Sequence, residues 1–287
     1  WRDYRIPTQV ATIEALQRLT PDDTQTIDEM LRWLLQEKRT QAWDTPLSTI
    51  DAIYAFLNSS PQVLAPQEGS AFTLNGKALK TPKATAGLGY IKTSLPHPLQ
   101  SMGDADEHSS AGETEGAPST LTIDKTSTGT SWGAVYAQFM QTATQIDNQA
   151  NGIKVTREVL AYNNGQQAAV NGQCTVGQRV IVRITITADR DYDFVEVVDK
   201  RASCLDPVIQ KSGYHWGSGS YYEGYYCTPR DCTTNYYYDR LAKGKHTIET
   251  AYYVDRPGRY ATGTCTASCA YSPEFRGNAS AITISVE

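Results

Sequence analysis

Arg179-Val180-Ile181-Val182-Arg183-Ile184-Thr185-Ile186-Thr187 is the stretch that decides the fold of the second half of this chain. Val180, Val182, Ile184 and Ile186 fall on one face of an extended strand, and Ile181, Arg183, Thr185 and Thr187 on the other. A period of two over nine residues predicts a β-strand laid on a core. The same alternation returns at Phe194-Val195-Glu196-Val197, over Thr247 to Val254 and at Ile282-Thr283-Ile284-Ser285-Val286, with Arg256-Pro257-Gly258 as a turn between runs. About seven or eight strands over residues 151–287 predict an antiparallel β-sandwich with one core.

All six cysteines lie within this half: Cys174, Cys204, Cys227, Cys232, Cys265 and Cys269. Such lopsided usage predicts a separate module folded in an oxidising compartment and carrying three disulfides. Cys227–Cys232 is the most local pair, and the connectivity is otherwise open. Metal binding by free thiols is the competing reading. Only Cys227/Cys232 and Cys265/Cys269 are close in sequence, and no histidine falls at zinc-finger spacing.

Working back toward the start, residues 1–60 read as three helices. Val10, Ile13, Leu16 and Leu19 recur with helical period after Pro7. Thr20-Pro21-Asp22-Asp23 reads as an N-cap, a first-position proline and acids in the first turn, leading into Ile27, Met30, Leu31, Leu34 and Leu35. Thr45-Pro46 repeats the signal before Ile50, Ile53, Tyr54 and Leu57. Three helices alone bury little surface, so a larger helical array is expected around them. Residues 61–150 read as β: Ala71 to Leu74, an Asn75-Gly76 turn, a returning strand, then Leu88 to Leu95, Leu121 to Lys125 and Ser131 to Met140. Residues 100–119, with five acids and no lysine or arginine, predict a solvated flexible loop.

Composition narrows the function. A formal net charge of −5 without a basic stripe argues against nucleic acid as a partner. No apolar run approaches the roughly 18 residues of a membrane span. The chain opens at Trp1-Arg2-Asp3-Tyr4 in folded-looking sequence, and is read as a piece of a longer or processed protein. His97, His108, His215 and His246 stand apart, and no His-Glu-x-x-His, Gly-x-Ser-x-Gly or phosphate-binding loop occurs. No catalytic residue, no metal and no cofactor is therefore assigned. Asp189-Arg190-Asp191-Tyr192-Asp193 imitates a calcium loop, but Phe194 stands at its glycine position and Lys200 at its closing glutamate; a solvated turn is expected. Lys243-Gly244-Lys245-His246 reads as a hairpin turn.

Ordered pieces of the chain resemble the bacterial alpha-2-macroglobulins. Residues 4–16 and 39–46 are similar to the last helices of that family's thioester-type α/α-toroid. Gly129-Thr130-Ser131-Trp132-Gly133-Ala134-Val135-Tyr136 is similar to the return segment of its CUB-like β domain. Residues 183–195, 201–208, 254–260 and 271–275 resemble its terminal macroglobulin-like sandwich. The resemblance implies a multidomain α and β chain: the end of a toroid over 1–60, a partial CUB-like domain over 61–150, and the terminal antiparallel sandwich over 151–287. It implies a protease trap of the bacterial envelope, periplasmic or outer-membrane-associated, and no enzymatic activity of this chain's own. Partners would be other domains of the parent chain and, through it, target proteases. The family's thioester motif occurs nowhere in the 287 residues.

The candidate contact surface is the stretch from Tyr214 to Tyr238. Tyr214, Trp216, Tyr221, Tyr222, Tyr225 and Tyr226 supply rigid amphipathic area of the kind interfaces favour. The resemblance implies that tyrosines here face the helical domain, with Tyr221, Tyr222, Tyr225 and Tyr226 partly exposed in a long excursion between strands. A structural loop over the sandwich, a carbohydrate-binding surface around Trp216, and a fragment of a polysaccharide-active enzyme are the alternatives.

Overall fold

The computed structural model describes residues 4–43, 45–59, 70–80, 92–94, 120–125, 133, 135–136, 141–163, 166–170, 172–216 and 224–287. The chain divides into two compact units, one of residues 1–31 with 45–134 and one of residues 32–44 with 135–287.

The first unit holds α1 (Arg5–Leu19), most of the first half of α2 (Thr24–Thr40), and α3 (Pro46–Ser59). Pro7 sits in the first turn of α1, where its missing N–H removes no helical bond; the first such bond runs from Thr8 N to Tyr4 O. The cap of α2 differs from expectation. Thr20 closes α1, its N–H and hydroxyl both donating to the Leu16 carbonyl, so the cap passes to Asp23, whose carboxylate accepts from Thr26 N. Thr45 caps α3 as expected, accepting from Ser48 N at 3.1 Å with Pro46 at the first position. α1 packs on α3, burying Ile6, Val10 and Ile13 on one side and Ala52 and Ala55 on the other, with Gln17 donating to Ser59 Oγ at 2.6 Å.

One face is reversed. The apolar period of α3 predicts Ile50, Ile53, Tyr54 and Leu57 as its buried stripe, yet these are exposed, and the small residues Ser48, Ala52 and Ala55 make the close contact. Small side chains let the helices approach, and the larger ones remain as an uncovered apolar stripe.

In the same unit β1 (Ala71–Leu74), β2 (Lys77–Ala78) and β3 (Leu121–Asp124) form a sheet in the order β2-β1-β3. Asn75 and Gly76, at φ 49° and 78°, make the left-handed hairpin turn their dipeptide predicts. Of the expected strands over 88–95 and 131–140, residues 92–94, 133, 135 and 136 are described and none is strand. The rest of both segments, and the acidic segment 100–119, lie outside the described residues.

The second unit is a sandwich. Its strands are β4 (Gln149–Asn151), β5 (Ile153–Asn163), β6 (Gln166–Ala169), β7 (Gln173–Cys174), β8 (Arg179–Ala188), β9 (Tyr192–Lys200), β10 (Leu205–Pro207), β11 (Gly213–His215), β12 (Tyr225–Pro229), β13 (Thr233–Leu241), β14 (Gly244–Val254), β15 (Gly258–Ala261), β16 (Cys265–Cys269), β17 (Ser272–Ala279) and β18 (Thr283–Val286). One ladder runs β10-β14-β8-β5-β4-β17-β16-β9-β13-β12-β11, with β6 on β5 and a separate β15-β18-β7 sheet. Gly152, at φ 74°, turns the chain from β4 to β5 and folds the ladder on itself.

The two halves then face each other. Tyr236 on β13 and Thr250 on β14 meet hydroxyl to hydroxyl at 2.6 Å, and Thr234 and Tyr252 at 2.8 Å, although those strands are not paired. Val180, Val182, Ile184 and Ile186 of β8 all point into the core between them, as their alternation predicts. Strands outnumber the expected seven or eight because β4, β6, β7, β10, β11 and β15 span only two to four residues, too few to show a period.

At the centre lies a charge pair. Arg157 on β5 and Asp199 on β9, 2% and 1% exposed, bridge the halves at 2.7 Å. Arg157 also donates to Thr262 Oγ1, Gly263 O and Ser280 O at 2.7 to 2.8 Å, gathering two loops onto one guanidinium.

Candidate functional site

Two places in the second unit gather side chains of functional type. The first is the aromatic end of the sandwich. β11 is an edge strand paired with β12, and β12 with β13, so Tyr214, Tyr226 and Tyr237 share one row and one face. Tyr214 stacks on Trp216 at 5.4 Å and meets Tyr226 edge-on at 5.0 Å; Tyr214 and Trp216 are more than half exposed. The opposite pleat turns inward. Tyr225 packs on Tyr236 and Tyr238, both buried, and stacks on His215 at 5.1 Å. Burial pushes the Tyr225 phenol up to about 12, with the nearby Cys227 adding to it.

Strand alternation thus divides the tyrosine run into a core set and an outer set. Tyr225 and Tyr226 lie within β12 rather than in an excursion, one half-buried on each face. Tyr221 and Tyr222 lie outside the described residues.

The second place is a rim that the sequence reading dismissed as a solvated turn. The carboxylates of Asp189, Asp191 and Asp193 are all engaged by protein groups. Asp189 accepts from Tyr192 Oη at 2.5 Å and pairs with Arg190. Asp191 accepts from Arg240 at 2.8 Å and from Lys243 N at 2.7 Å, which also fixes the start of the β13–β14 turn. Asp193 accepts from the Ala42 N–H at 2.6 Å, 151 residues distant. Phe194 follows at φ 57°, a left-handed backbone that a bulky residue rarely adopts, with its ring edge-on to Tyr271 at 5.3 Å.

Around Asp193 the last turn of α2 is held at further points. Ser272 Oγ donates to the Arg39 carbonyl, and the Arg39 guanidinium pairs with Glu274 and lies over the Phe275 ring at 5.6 Å. Arg190 covers the same ring at 5.5 Å, and Tyr192 packs on it at 5.5 Å. A quadrupolar ring between two guanidinium groups is a cation–π arrangement that orients both. Residues 32–44 belong to the same unit as the sandwich.

Of the six cysteines, Cys232 is exposed and the other five are buried. Cys227 is opposite Tyr236, while Cys232 lies in the turn beyond Pro229, so the two are roughly 10 Å or more apart along the hairpin. A disulfide needs Cα atoms within about 7 Å, so Cys227 and Cys232, the pair that the sequence favours, stand too far apart in this fold to be bridged. Burial pushes the Cys227 thiol up to about 11, which removes nearly all thiolate at neutral pH. The native protein is expected to react with iodoacetamide at Cys232 and to leave Cys227 unmodified at pH 8, read by peptide mass mapping; rapid labelling of Cys227 would refute its placement.

Among the described residues no group of three or more His, Cys, Asp or Glu side chains gathers as a metal site, and no helix is long and apolar enough to cross a membrane. His246 is hydrogen-bonded to the Ala242 carbonyl at 2.6 Å inside its own turn, and His215 stacks on Tyr225. His97 and His108 lie outside the described residues.

Comparison with known proteins agrees with the sandwich. Residues 152–274 match the family model of the bacterial alpha-2-macroglobulin MG10 domain. No curated protein matches. Among solved structures, the chain is similar to trypsin-activated alpha-2-macroglobulin of Escherichia coli, with 12% identity over 98% of this chain and 18% of that one, and a TM-score of 0.47. A Salmonella alpha-2-macroglobulin reacted with methylamine gives 16% identity over 99% and 18%, with a TM-score of 0.40. A native Escherichia coli structure running from domain MG7 to the C-terminus gives 12% over 98% and 42%, with a TM-score of 0.39. The chain spans less than half the length of each of these structures. The match spans most of the strands that build the sandwich, and over residues 152–274 this chain is similar to the MG10 domain of the bacterial alpha-2-macroglobulins.

Proposed function

We propose that this chain is part of a protease trap of the bacterial envelope, in which the sandwich restrains the helical region until a protease cuts the parent protein. The observation that carries this reading is the rim. Asp193, Ser272 and Glu274 hold the end of α2 and the residues just after it, at Ala42 N, Arg39 O and the Arg39 guanidinium. Each contact is polar; Ser272 is buried, whereas the Arg39–Glu274 pair lies at the surface, where an ion pair contributes about 0.2–1 kcal/mol. A restraint made of such contacts holds without being permanent, as a device released by cleavage requires.

In this reading α1 to α3 are the end of an α/α-toroid, and the exposed stripe of Ile50, Ile53, Tyr54 and Leu57 is where further helices pack. The small sheet β2-β1-β3 is part of a CUB-like domain. The outer aromatic face at Tyr214, Trp216 and Tyr226 then meets another domain of the parent chain. The chain itself does no chemistry.

The parent protein, incubated with trypsin, is expected to retain the protease through gel filtration, with activity kept on a small peptide and lost on a large protein substrate. Trypsin eluting free of the cleaved parent would overturn the trap reading. The variant Asp193→Ala/Glu274→Ala is expected to let the parent change its migration on a native gel before any cleavage. One observation favours a second reading: the exposed Tyr214–Trp216 stack has the form of a sugar platform. Glycan-array binding lost in Trp216→Ala would support it.

A further inference from the structure

We propose that Cys174 and Cys204 are joined by a disulfide when the chain folds in an oxidising compartment, while the other four cysteines remain thiols. This inference does not depend on the trap reading.

The fold brings these two segments to the same end of one strand. Val254, the last residue of β14, is flanked on one side by the turn that follows Cys174: Gly177 N donates to Val254 O, and Val254 N to Gln178 O. On the other side Leu205 pairs with Val254, and Asp255 N donates to Cys204 O. The turn over 175–178 reverses the chain, with Thr175 N donating to Gln178 Oε1 and Gln178 N to Thr175 O, so Cys174 is set back over that end. Both side chains enter the same core, at 3% and 0% exposure. They are near enough that a charge on Cys174 adds to burial in raising the Cys204 thiol.

The remaining cysteines have no such arrangement with one another. Cys265 and Cys269 lie four residues apart on one strand, about 13 Å by strand rise. Cys227 on β12 is separated from β16 by β13 and β9, about 14 Å by strand spacing. Cys232 has its backbone near Arg201, but its side chain is exposed whereas that of Cys204 is fully enclosed.

The chemistry is ordinary exchange with a small disulfide oxidant such as oxidised glutathione. One cysteine thiolate attacks the oxidant and releases the first glutathione thiolate. The second cysteine thiolate then attacks the mixed disulfide and releases the other. Two protein thiols are oxidised, one disulfide is reduced to two thiols, and the two protons end on the released glutathione. Burial raises both thiols in the folded state, so the exchange belongs to folding, before the core closes.

The full chain, refolded in a glutathione redox buffer, would be unfolded in guanidinium without reductant, alkylated and mapped by mass spectrometry. Alkylation at Cys227, Cys232, Cys265 and Cys269 is expected, with the Cys174 and Cys204 peptides linked and lighter by two hydrogens. In Cys174→Ala, five alkylated cysteines are expected. Six alkylated cysteines in the wild type, or Cys204 linked to Cys232 or to any other partner, would overturn the inference; the wild-type map is decisive even if the variant fails to fold.

Discussion

Asp199→Ala is expected to destabilise the sandwich by about 3–5 kcal/mol, the usual result of removing one partner of a buried ion pair. Burial pushes the Asp199 carboxyl above the ordinary carboxylate range, and Arg157 beside it pulls the other way. The pair's own net contribution is therefore modest, and the large effect comes from stranding Arg157, 2% exposed, with only neutral acceptors. The Cys265 thiol shares this pocket. Burial and the charge of Asp199 both push it up, so it stays neutral and offers no replacement charge. Arg183 and Glu249, on β8 and β14, provide the contrast. Their contact is as short, 2.6 Å, but they are 31% and 40% exposed, so Glu249→Ala is expected to cost under about 1 kcal/mol. Urea unfolding followed by near-ultraviolet circular dichroism measures both. Equal midpoints for the two variants would show that burial at Asp199 does not govern the energetics.

Gly277→Ala should have the other large effect. Gly277 on β17 pairs with Ala150 of β4 and Ala267 of β16, at the joint where the ladder folds over. A Cβ here would collide with the Ile153 carbonyl and press on the Gln149 oxygen at 3.3 Å. These are backbone atoms in ladder strands, which cannot swing aside as a side-chain tip can. Overpacking of this kind costs about 1–3 kcal/mol, occasionally more. The expected fall in melting temperature is about 6–12 °C for a cost near 3 kcal/mol. Gly213→Ala is the control, since a Cβ there meets nothing within 4 Å. If both variants melt with the wild type, the close approach of β17 to β5 is wrong.

What was legible in the residues was local. The alternation of Arg179 to Thr187 became β8, with Val180 to Ile186 inside as read; Asn75-Gly76 made its turn; Thr45-Pro46 opened α3. Each of these signals lies within a few residues, where backbone preference and side-chain period act. The misses are long-range. Arg157 and Asp199 look like two ordinary charges in sequence, and nothing local shows that they meet across 42 residues. The acids at Asp189, Asp191 and Asp193 read as solvent-facing because their partners, among them Arg240 and Ala42, lie 49 and 151 residues away. The α3 stripe is apolar as its period predicts, but period shows a face and not what lies against it. Among the tyrosines, strand pleat decided which ring went inside. Composition alone could not separate Tyr236 and Tyr238 from Tyr214 and Tyr226.

Hydrogen exchange over residues 32–43 of the parent protein tests the restraint most directly. Before cleavage the Ala42 amide, bonded to Asp193, is expected to be protected. After trypsin cuts the parent, exchange across that segment should rise, while the β8 and β14 amides of the sandwich core keep their protection. Unchanged protection of residues 32–43 through cleavage would contradict the account.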